Sequence, residues 1–341
     1  MTKHIAVVPG DLAGQEVIPE AVKVLSGVGA DLAFDEFEAG AAPVLRGEPA
    51  MSQETFQALS AADAILFGAI GDPRVPDVGY PAQVLLKLRF ELDLYVNLRP
   101  ARLYDARLSP LRDPDRAHVD LLIVRENTEG AYIGMGGRFK RGTEQEVAVQ
   151  EDVNTCLGVT RVIEYAFSRT RRRLTMVDKS NALAHAGGLW RDCWHRIAAQ
   201  HPGIDARHLY ADAAAMELVS DPSQFEVIVT GNLFGDLLSD LTAALVGGMG
   251  VAPSANINPV TGRGLFEPIH GSAPKLAGQG IVNPVGAILT AGLLLEHLGQ
   301  RDAAAAVEQA VAGAIRARET TRDLGGSLST AEVGDAIRRR L

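Results

Sequence analysis

The feature that most constrains the fold of this chain is a strand pattern followed, after one glycine, by a helical pattern that contains two aspartates. FEVIVTG, residues 225–231, is typical of a short buried strand, and TGNLFGDLLSDL, residues 230–241, predicts a helix that begins at Asn232. Helical spacing places Asp236 and Asp240 on one face of that helix. In open α/β sheets, ligands bind beyond the carboxyl ends of the strands. The stretch therefore predicts an α/β fold with an acidic pair at a ligand-binding edge.

The acidic pair needs compensation if it is not fully hydrated. Like charges one helical turn apart repel each other, and the apolar neighbours Leu237, Leu238 and Leu241 limit access to water. A hard divalent cation is the simplest compensation, because Mg²⁺ prefers carboxylate oxygens. From this stretch alone, a solvated helix face that carries two aspartates is an equally good interpretation.

Strand and helix patterns alternate along the rest of the chain. IAVVPGD, AILFGAIG and VDLLIVREN predict buried strands, and helical patterns follow the first two of them. Further strand and helix patterns continue to about residue 245, and three helical patterns follow residue 282. Such alternation is typical of α/β proteins with helices on both faces of a sheet. RFKRGTEQEVAVQEDV instead predicts an exposed antiparallel arm of the kind that pairs with a second subunit.

Two irregular segments mark candidate domain boundaries. The chain leaves the first group of strands in extended form near Asn97, and the glycine cluster GGMG, residues 247–250, is the predicted point of return. These boundaries predict a large domain of residues 1–97 and 250–341 and a small domain of residues 98–249.

Charge and cysteine content exclude several functional classes. A formal net charge of -9 over 341 residues argues against general affinity for nucleic acids or anionic membranes. The two cysteines, Cys156 and Cys193, are too few for a disulfide framework and predict buried structural thiols in a reducing cytoplasm. The N-terminal apolar run is too short for a signal peptide, and no run approaches the length of a membrane span.

Several longer segments resemble one family, the metal-dependent β-decarboxylating dehydrogenases, which includes 3-isopropylmalate, isocitrate, homoisocitrate and tartrate dehydrogenases. The segments are PGD, LRFELDLYVNLRPARLY, LLIVRENTEGAYIG, VDKSN, YADAAAM, TGNLFGDLLSD and FEPIHGSAPKLAG. The overall likeness is greatest to 3-isopropylmalate dehydrogenases. The resemblance implies a two-lobed isopropylmalate-dehydrogenase-like fold, with an open mixed sheet flanked by helices. It also implies that the large domain binds the cofactor and that the small domain carries the metal site and the dimer interface. The implied assembly is a homodimer with shared active sites and the antiparallel arm at its interface.

The resemblance implies how the substrate is bound. Arg89, Arg99 and Arg125 match the family's arginines for the substrate carboxylates. A guanidinium fork suits a 2-hydroxy dicarboxylate, because it can bind a carboxylate through two parallel hydrogen bonds. Leu85 and Leu86 match the apolar pocket of the isopropylmalate enzymes. An apolar wall would leave a third carboxylate without hydrogen-bond donors and would therefore disfavour isocitrate.

The resemblance also implies a metal site and catalytic residues. Asp236 and Asp240 match the family's metal aspartates, and Asp212 matches the third, which reaches the site from the partner subunit. Oxygen ligands of this type favour Mg²⁺ or Mn²⁺. Lys179 matches the catalytic lysine, also donated across the dimer, and Tyr132 matches the catalytic tyrosine. In these roles the lysine accepts the proton of the substrate hydroxyl, and the tyrosine supplies the proton that completes the product.

The implied cofactor site lies around the HGSAP segment. The matching positions are Glu267, His270, Gly271, Ser272, Ala273, Lys275 and Asn283. NAD-dependent members carry an acid where this chain has Lys275, and a lysine there would favour the 2′-phosphate of NADP. NAD and NADP both remain open, because Leu276 stands where the NADP-dependent isocitrate enzymes have a tyrosine. The opening loop also departs from the family's GDGIG pattern, since Leu12 replaces a glycine.

The predicted activity is the NAD(P)-dependent oxidative decarboxylation of a 3-substituted malate. 3-Isopropylmalate, which gives 4-methyl-2-oxopentanoate in leucine biosynthesis, fits the apolar pocket best. RENTEG instead resembles the homoisocitrate, isocitrate and tartrate enzymes, so a paralogue that acts on one of these substrates is the alternative. A non-catalytic regulatory subunit is an alternative of a different class. The retained lysine and metal acids argue against it.

Overall fold

A ten-stranded sheet forms the centre of the computed structural model, which describes residues 2–77, 79–113 and 118–341. The strands are β1 (Lys3–Val8), β2 (Leu32–Glu36), β3 (Ala64–Phe67), β4 (Val96–Arg102), β5 (Asp120–Glu126), β6 (Gly136–Phe139), β7 (Val147–Gln150), β8 (Arg173–Asp178), β9 (Asp205–Tyr210), β10 (Val227–Thr230), β11 (Ala255–Asn258) and β12 (Arg263–Phe266). The helices are α1 (Gly14–Leu25), α2 (Ala41–Leu45), α3 (Gln53–Ala61), α4 (Tyr80–Glu91), α5 (Cys156–Arg169), α6 (Ala184–Ala198), α7 (Ala211–Ser220), α8 (Asn232–Leu245), α9 (Val285–His297), α10 (Arg301–Arg316) and α11 (Thr330–Arg338).

The large sheet is mixed, as predicted. Its strand order is β2-β1-β3-β12-β11-β4-β5-β10-β8-β9. The outer strands pair in parallel on both sides, whereas β11 pairs antiparallel with both β12 and β4, and β4 pairs antiparallel with β5. The sheet therefore has two halves, and the strands within each half run parallel. The two halves run in opposite directions and meet at the antiparallel strands β11 and β4. Strands from the two predicted domains occupy opposite halves of this order, and the domain boundaries themselves stay a prediction.

The sheet is buried on both faces. In β1, Ile5 and Val7 belong to one apolar cluster, and the alternate residues Ala6 and Val8 belong to a second cluster. This alternation explains the continuous apolar run in the sequence, because a strand covered on both faces needs apolar residues at every position. No helix within the described ranges is long and apolar enough to cross a membrane.

Six strands and α-helices of the described residues had no counterpart in the sequence predictions. They are β2, α2, α3, α7, β11 and β12. β2 is a partly exposed edge strand, so its sequence LAFDE has no strong apolar pattern. β11 has the sequence ANIN, and all four residues are buried. Its two asparagines are hydrogen-bonded to residues distant in the sequence, and a local pattern does not show this.

The predicted antiparallel arm is present as a pair of short strands. β6 and β7 pair from Gly136–Gln150 to Phe139–Val147, apart from the large sheet. Phe139 is 59% exposed and Val147 50% exposed. The arm therefore presents apolar side chains to solvent in the single chain, and its role at a dimer interface stays a prediction.

Candidate active site

Three buried arginines converge between the two halves of the sheet. Arg89 lies on α4, Arg99 on β4 and Arg125 on β5, and none is more than 7% exposed. Burial, reinforced by the other two guanidinium groups, lowers the pKa of Arg125 to about 9. Three buried guanidinium groups close together require anionic partners, because burial of an uncompensated charge is costly in free energy.

Asp236 is the shared partner of two of these arginines. Its Oδ1 atom accepts hydrogen bonds from Arg125 and, at 3.1 Å, from Arg99, while its Oδ2 atom accepts one from the Tyr132 hydroxyl at 3.0 Å. Burial acts to raise the pKa of Asp236, but the charges of Arg125 and Arg99 outweigh it and the net shift is downward. Burial first, and then the Asp236 charge, raises the pKa of Tyr132, so the phenol stays protonated.

Asp240 lies one turn further along α8 and has weaker contacts with the arginines than Asp236 has. Its closest cation is Arg99, at 3.9 Å, and half of its side chain is exposed. Burial raises the pKa of Asp240 and the charge of Asp236 adds to this effect, against the opposing charge of Arg99. The described ranges contain no group of three or more histidine, cysteine or acidic side chains placed to hold a metal ion. A cation at this pair would need further ligands from outside the single chain.

Lys179 and Asp212 form a separate ion pair. Lys179 directly follows β8 and Asp212 lies in the first turn of α7, and 2.5 Å separates Lys179 Nζ from Asp212 Oδ1. The hydrogen bond from Lys179 is the main cause that lowers the pKa of Asp212. Among the described residues, no hydrogen bond or ion pair joins either group to Asp236 or Asp240. Folding of one chain thus assembles the predicted residues in two groups rather than in one.

A buried asparagine network links the arginines, and the sequence analysis missed it. Asn256 on β11 accepts hydrogen bonds from Asn97 at 2.9 Å and Asn127 at 3.0 Å, and it donates one to Glu267 at 2.9 Å. Asn97 in turn accepts a hydrogen bond from Arg99 at 2.8 Å. The local sequences, ANIN in β11 and VNLRPAR in β4, mix amide or charged residues with apolar ones, and such a mixture does not distinguish a buried network from an edge strand.

Glu267 completes the connection to the third arginine. Its Oε1 atom accepts a hydrogen bond from Arg89 at 2.8 Å. The Nε atom of Arg89 is buried and has no hydrogen-bond partner among the described residues. A buried donor without a partner is costly in a folded protein. The hydrogen on this atom is therefore uncommitted within the described residues.

The predicted cofactor segment packs against the opening loop. The backbone nitrogen of Ala13 donates to the Ser272 carbonyl at 3.0 Å, and the Gly278 nitrogen donates to the Glu16 carboxylate. Burial lowers the pKa of His270, and its Nε2 atom has no partner within the described ranges. Asn283 is buried and donates to Asp323 at 2.8 Å. The segment thus has a fixed backbone and an unsatisfied buried ring nitrogen.

Backbone geometry at Leu12 fits the glycine of the GDGIG pattern that the resemblance implies for this loop. Leu12 has a φ of 51°, in the left-handed region that favours glycine. The leucine therefore occupies a strained position beside the predicted cofactor segment, and the loop keeps the left-handed turn despite the substitution.

The two leucines of the predicted apolar pocket, Leu85 and Leu86, are both partly buried on α4. Leu85 packs against an apolar cluster, whereas Leu86 belongs to neither cluster.

Comparison with known proteins identifies the family. The family model described as isocitrate/isopropylmalate dehydrogenase matches residues 4–337. The chain belongs to the isocitrate/isopropylmalate dehydrogenase family. It is 45% identical to the 3-isopropylmalate dehydrogenase of Thermobifida fusca (strain YX), covering 100% of this chain and 98% of that protein. The 3-isopropylmalate dehydrogenase of Streptomyces coelicolor is 46% identical, with coverage of 99% and 98%.

Two solved structures are similar to this chain over its whole length. The isocitrate dehydrogenase from Methylococcus capsulatus superposes with a TM-score of 0.91 at 37% identity, covering 99% of both chains. The TT0538 protein from Thermus thermophilus gives a TM-score of 0.90 at 34% identity, covering 100% of this chain and 68% of that one. The predicted resemblance and fold class are therefore confirmed. The family is one of metal-dependent, nicotinamide-linked dehydrogenases that act on small molecules.

One sequence expectation outside the site is wrong. Cys193 is buried as predicted, but Cys156 is exposed. Cys156 is the first residue of α5, and the sequence before it is not strongly apolar. A position in the first turn of a helix leaves a side chain accessible even where the helix as a whole packs against the sheet.

Proposed function

We propose that this protein oxidatively decarboxylates 3-isopropylmalate to 4-methyl-2-oxopentanoate. The observation that carries the proposal is the convergence of three buried arginines, two of them bonded to Asp236 and the third to Glu267, with a buried guanidinium nitrogen left without a partner among the described residues. That arrangement supports binding of a small dicarboxylate. The 3-isopropylmalate dehydrogenases at 45% and 46% identity support the choice of substrate.

The arginines hold the substrate carboxylates in this proposal. Arg125 and Arg99 are already oriented by Asn232 and Asn97, which accept their Nε hydrogens at 3.0 Å and 2.8 Å. Fixed guanidinium groups lose little conformational freedom on binding, so they bind and orient the substrate in the same step. Leu86 offers an apolar surface on α4 for the isopropyl group, and Leu85 supports it from the core side.

Two residues move protons in this proposal. Lys179 accepts the proton of the substrate hydroxyl, and Tyr132 donates a proton to the carbon from which CO₂ has departed. The raised pKa of Tyr132 suits a proton donor that must stay neutral until the last step. Lys179 contacts Asp212 but not Asp236, so it serves the arginine site only when a second copy of the chain brings it there.

The residues present fit a divalent cation and a nicotinamide cofactor. Asp236, Asp240 and the Asp212 of a second copy would hold Mg²⁺ or Mn²⁺ through hard oxygen atoms. His270 offers an unsatisfied buried nitrogen beside the opening loop, and the backbone of Gly271 is open to solvent. The bound ion supplies electrostatic stabilisation of developing negative charge, and the nicotinamide accepts a hydride.

A homodimer follows from the same arrangement. α7 and α8 carry exposed apolar side chains next to the metal acids, including Met216 at 71% and Leu237 at 60% exposure. Together with the exposed arm, they provide an apolar surface for a second copy. Such a dimer would bring Lys179 and Asp212 of one copy towards Asp236 of the other.

The cofactor proposal favours NADP through one residue. Lys275 is exposed, and its ammonium group makes no hydrogen bond or ion pair within the described part of the chain. An uncommitted cation beside the adenosine would attract a 2′-phosphate through its charge. Kinetics with each cofactor decide between NADP and NAD.

A substrate panel tests the proposed function. Purified protein with Mn²⁺ is assayed for reduced nicotinamide absorbance with 3-isopropylmalate, isocitrate, homoisocitrate and tartrate, each with NAD and NADP. We expect the highest kcat/KM with 3-isopropylmalate. Higher kcat/KM with a substrate that carries a third carboxylate would contradict the apolar pocket, and no turnover with any substrate would favour a non-catalytic subunit. A clear preference for NAD would exclude Lys275 from phosphate binding.

Replacement of Asn256 by aspartate is expected to make substrate binding depend on pH. The new carboxylate would contact Glu267, and two such groups share one proton until the pH rises through the raised pKa of the pair. Below that pKa the shared proton replaces the amide donor. Above it, repulsion displaces Glu267 from Arg89, and we expect KM for the substrate to rise by about tenfold. KM and kcat measured across neutral and mildly alkaline pH check this result.

Asn258→Asp provides a matched control on the same strand. Asn258 is also buried and also donates to a carboxylate, that of Asp93 at 3.2 Å. Asp93 is paired with Arg161 instead of a substrate arginine. We expect KM to show the pH dependence of the unmodified protein in this variant. The same pH-dependent rise in both variants would mean that Asn256 supports only the packing of the sheet.

A further inference from the structure

The two cysteines meet between α5 and α6. The sulfur atoms of Cys156 and Cys193 are 3.7 Å apart, at van der Waals contact, although 37 positions separate them in sequence. Cys156 is exposed and Cys193 is buried. A disulfide bond is about 2.0 Å long, so modest side-chain rotation has to close the remaining gap. The pair therefore combines an accessible sulfur with a protected one in direct contact.

A guanidinium group lies against both sulfur atoms. The Nη2 atom of Arg196 is 3.7 Å from Cys156 Sγ and 3.7 Å from Cys193 Sγ. It is held there by a hydrogen bond of 2.8 Å to Thr160 Oγ1. The positive charge therefore lies within reach of negative charge that develops on either sulfur during a reaction. The packing of two thiols does not by itself require a charged side chain in contact with both sulfurs.

We propose that Cys156 and Cys193 form a reversible thiol oxidation site that accepts an oxidant of the peroxide class. The Cys156 thiolate attacks one peroxide oxygen, the O–O bond breaks, and sulfenic acid and water result after protonation of the leaving hydroxide. The Cys193 thiol then attacks the Cys156 sulfur, and the sulfenic oxygen leaves as a second water. Two electrons pass from the two sulfurs to the peroxide, and the two thiol protons end in water. A dithiol reductant then reduces the disulfide to the two thiols and is itself oxidised to a disulfide.

Contacts from both α5 and α6 connect the oxidation site with the candidate active site. Thr155, directly before Cys156, donates its backbone hydrogen to the Glu129 carboxylate at 2.8 Å. The Glu129 carbonyl accepts a hydrogen bond from Asn232 at 2.9 Å, and Asn232 orients Arg125. On the other side, α6 residues line a cavity of about 50 Å³ beside Lys179. Movement of the two sulfurs together should therefore lower turnover, a consequence that rests on the proposed function.

Mass spectrometry of the full-length chain tests the oxidation site directly. Reduced protein is treated with hydrogen peroxide, alkylated and digested, with and without later reduction by dithiothreitol. We expect a loss of about 2 Da, one peptide pair joined through Cys156 and Cys193, and full reversal. Both thiols remaining open to alkylation, or irreversible oxidation of Cys156 alone, would overturn the proposal. The variants Cys156→Ser and Cys193→Ser should each fail to lose the two hydrogens, and Arg196→Gln should form the disulfide several-fold more slowly.

Two further measurements test the connection to the active site. The two tryptophans of the chain, Trp190 and Trp194, both lie on α6, so their fluorescence reports on this helix without any substrate. We expect the emission to change on oxidation, and kcat/KM for 3-isopropylmalate to fall at least threefold and recover with dithiothreitol. A complete disulfide with unchanged fluorescence and unchanged kcat/KM would overturn the connection. If the reduced protein has no turnover, the proposed function fails, while the mass and fluorescence results still decide this proposal.

Discussion

Replacement of Asp236 by asparagine is expected to reduce kcat by roughly 10³-fold, the range seen when a preorganised electrostatic group is removed. Asp236 accepts hydrogen bonds from Arg99, Arg125 and Tyr132, and it is one of the proposed metal ligands. An amide in its place carries no charge, so two buried guanidinium groups lose their main counter-ion. It also weakens cation binding, because a neutral oxygen is a poorer ligand for Mg²⁺ or Mn²⁺.

The same variant should remain folded, which keeps the kinetic result interpretable. About a third of the Asp236 side chain is exposed, so water compensates part of the lost pairing and we expect a cost of about 1–2 kcal/mol in unfolding free energy. Thermal unfolding monitored by circular dichroism measures this cost. Asp192→Asn, an exposed position on α6, is the matched control and should retain kcat. Near-normal turnover of Asp236→Asn would refute both the metal site and the role of the arginine cluster.

Mixing two inactive variants is expected to restore activity. In the proposed dimer, each site uses Asp236 of one chain and Lys179 of the other. A heterodimer of Asp236→Asn and Lys179→Met chains then contains one site with both replacements and one site with neither. Random assortment of equal amounts in a twofold-symmetric dimer should return about a quarter of the unmodified activity.

The experiment mixes the two variants, exchanges subunits under mild denaturant, and assays turnover against each variant alone. The control mixes Asp236→Asn with Arg125→Met. Both replacements lie in residues that serve the same chain's site, so every site in that mixture carries at least one defect and no activity should return. Absence of recovery in the first mixture, while mass analysis shows that heterodimers have formed, would contradict the shared site and leave each chain with its own Lys179.

The sequence determined the parts of this protein that depend on local patterns and on long motifs. Apolar runs predicted the buried strands of the α/β sheet, and helical spacing placed Asp236 and Asp240 on one face of α8. Seven motifs spread along the chain, which include those around Arg89, Arg99 and Arg125, predicted the family, and the family model that matches residues 4–337 confirms it. Local periodicity succeeds here because strands covered on both faces and long amphipathic helices leave strong signals.

Only the tertiary structure decided which polar groups meet. The asparagines of the buried network come from three strand regions far apart in sequence, and their pairing depends on the antiparallel centre of the sheet. The contact between Cys156 and Cys193 likewise arises from the packing of α5 against α6, whereas the sequence predicted two separate buried thiols. Hydrogen bonds and thiol contacts act over a few ångströms between side chains, whereas sequence patterns report only whether a position faces an apolar environment. For this reason the sequence could predict which strands are buried, but it could not predict which side chains form hydrogen bonds or contact each other.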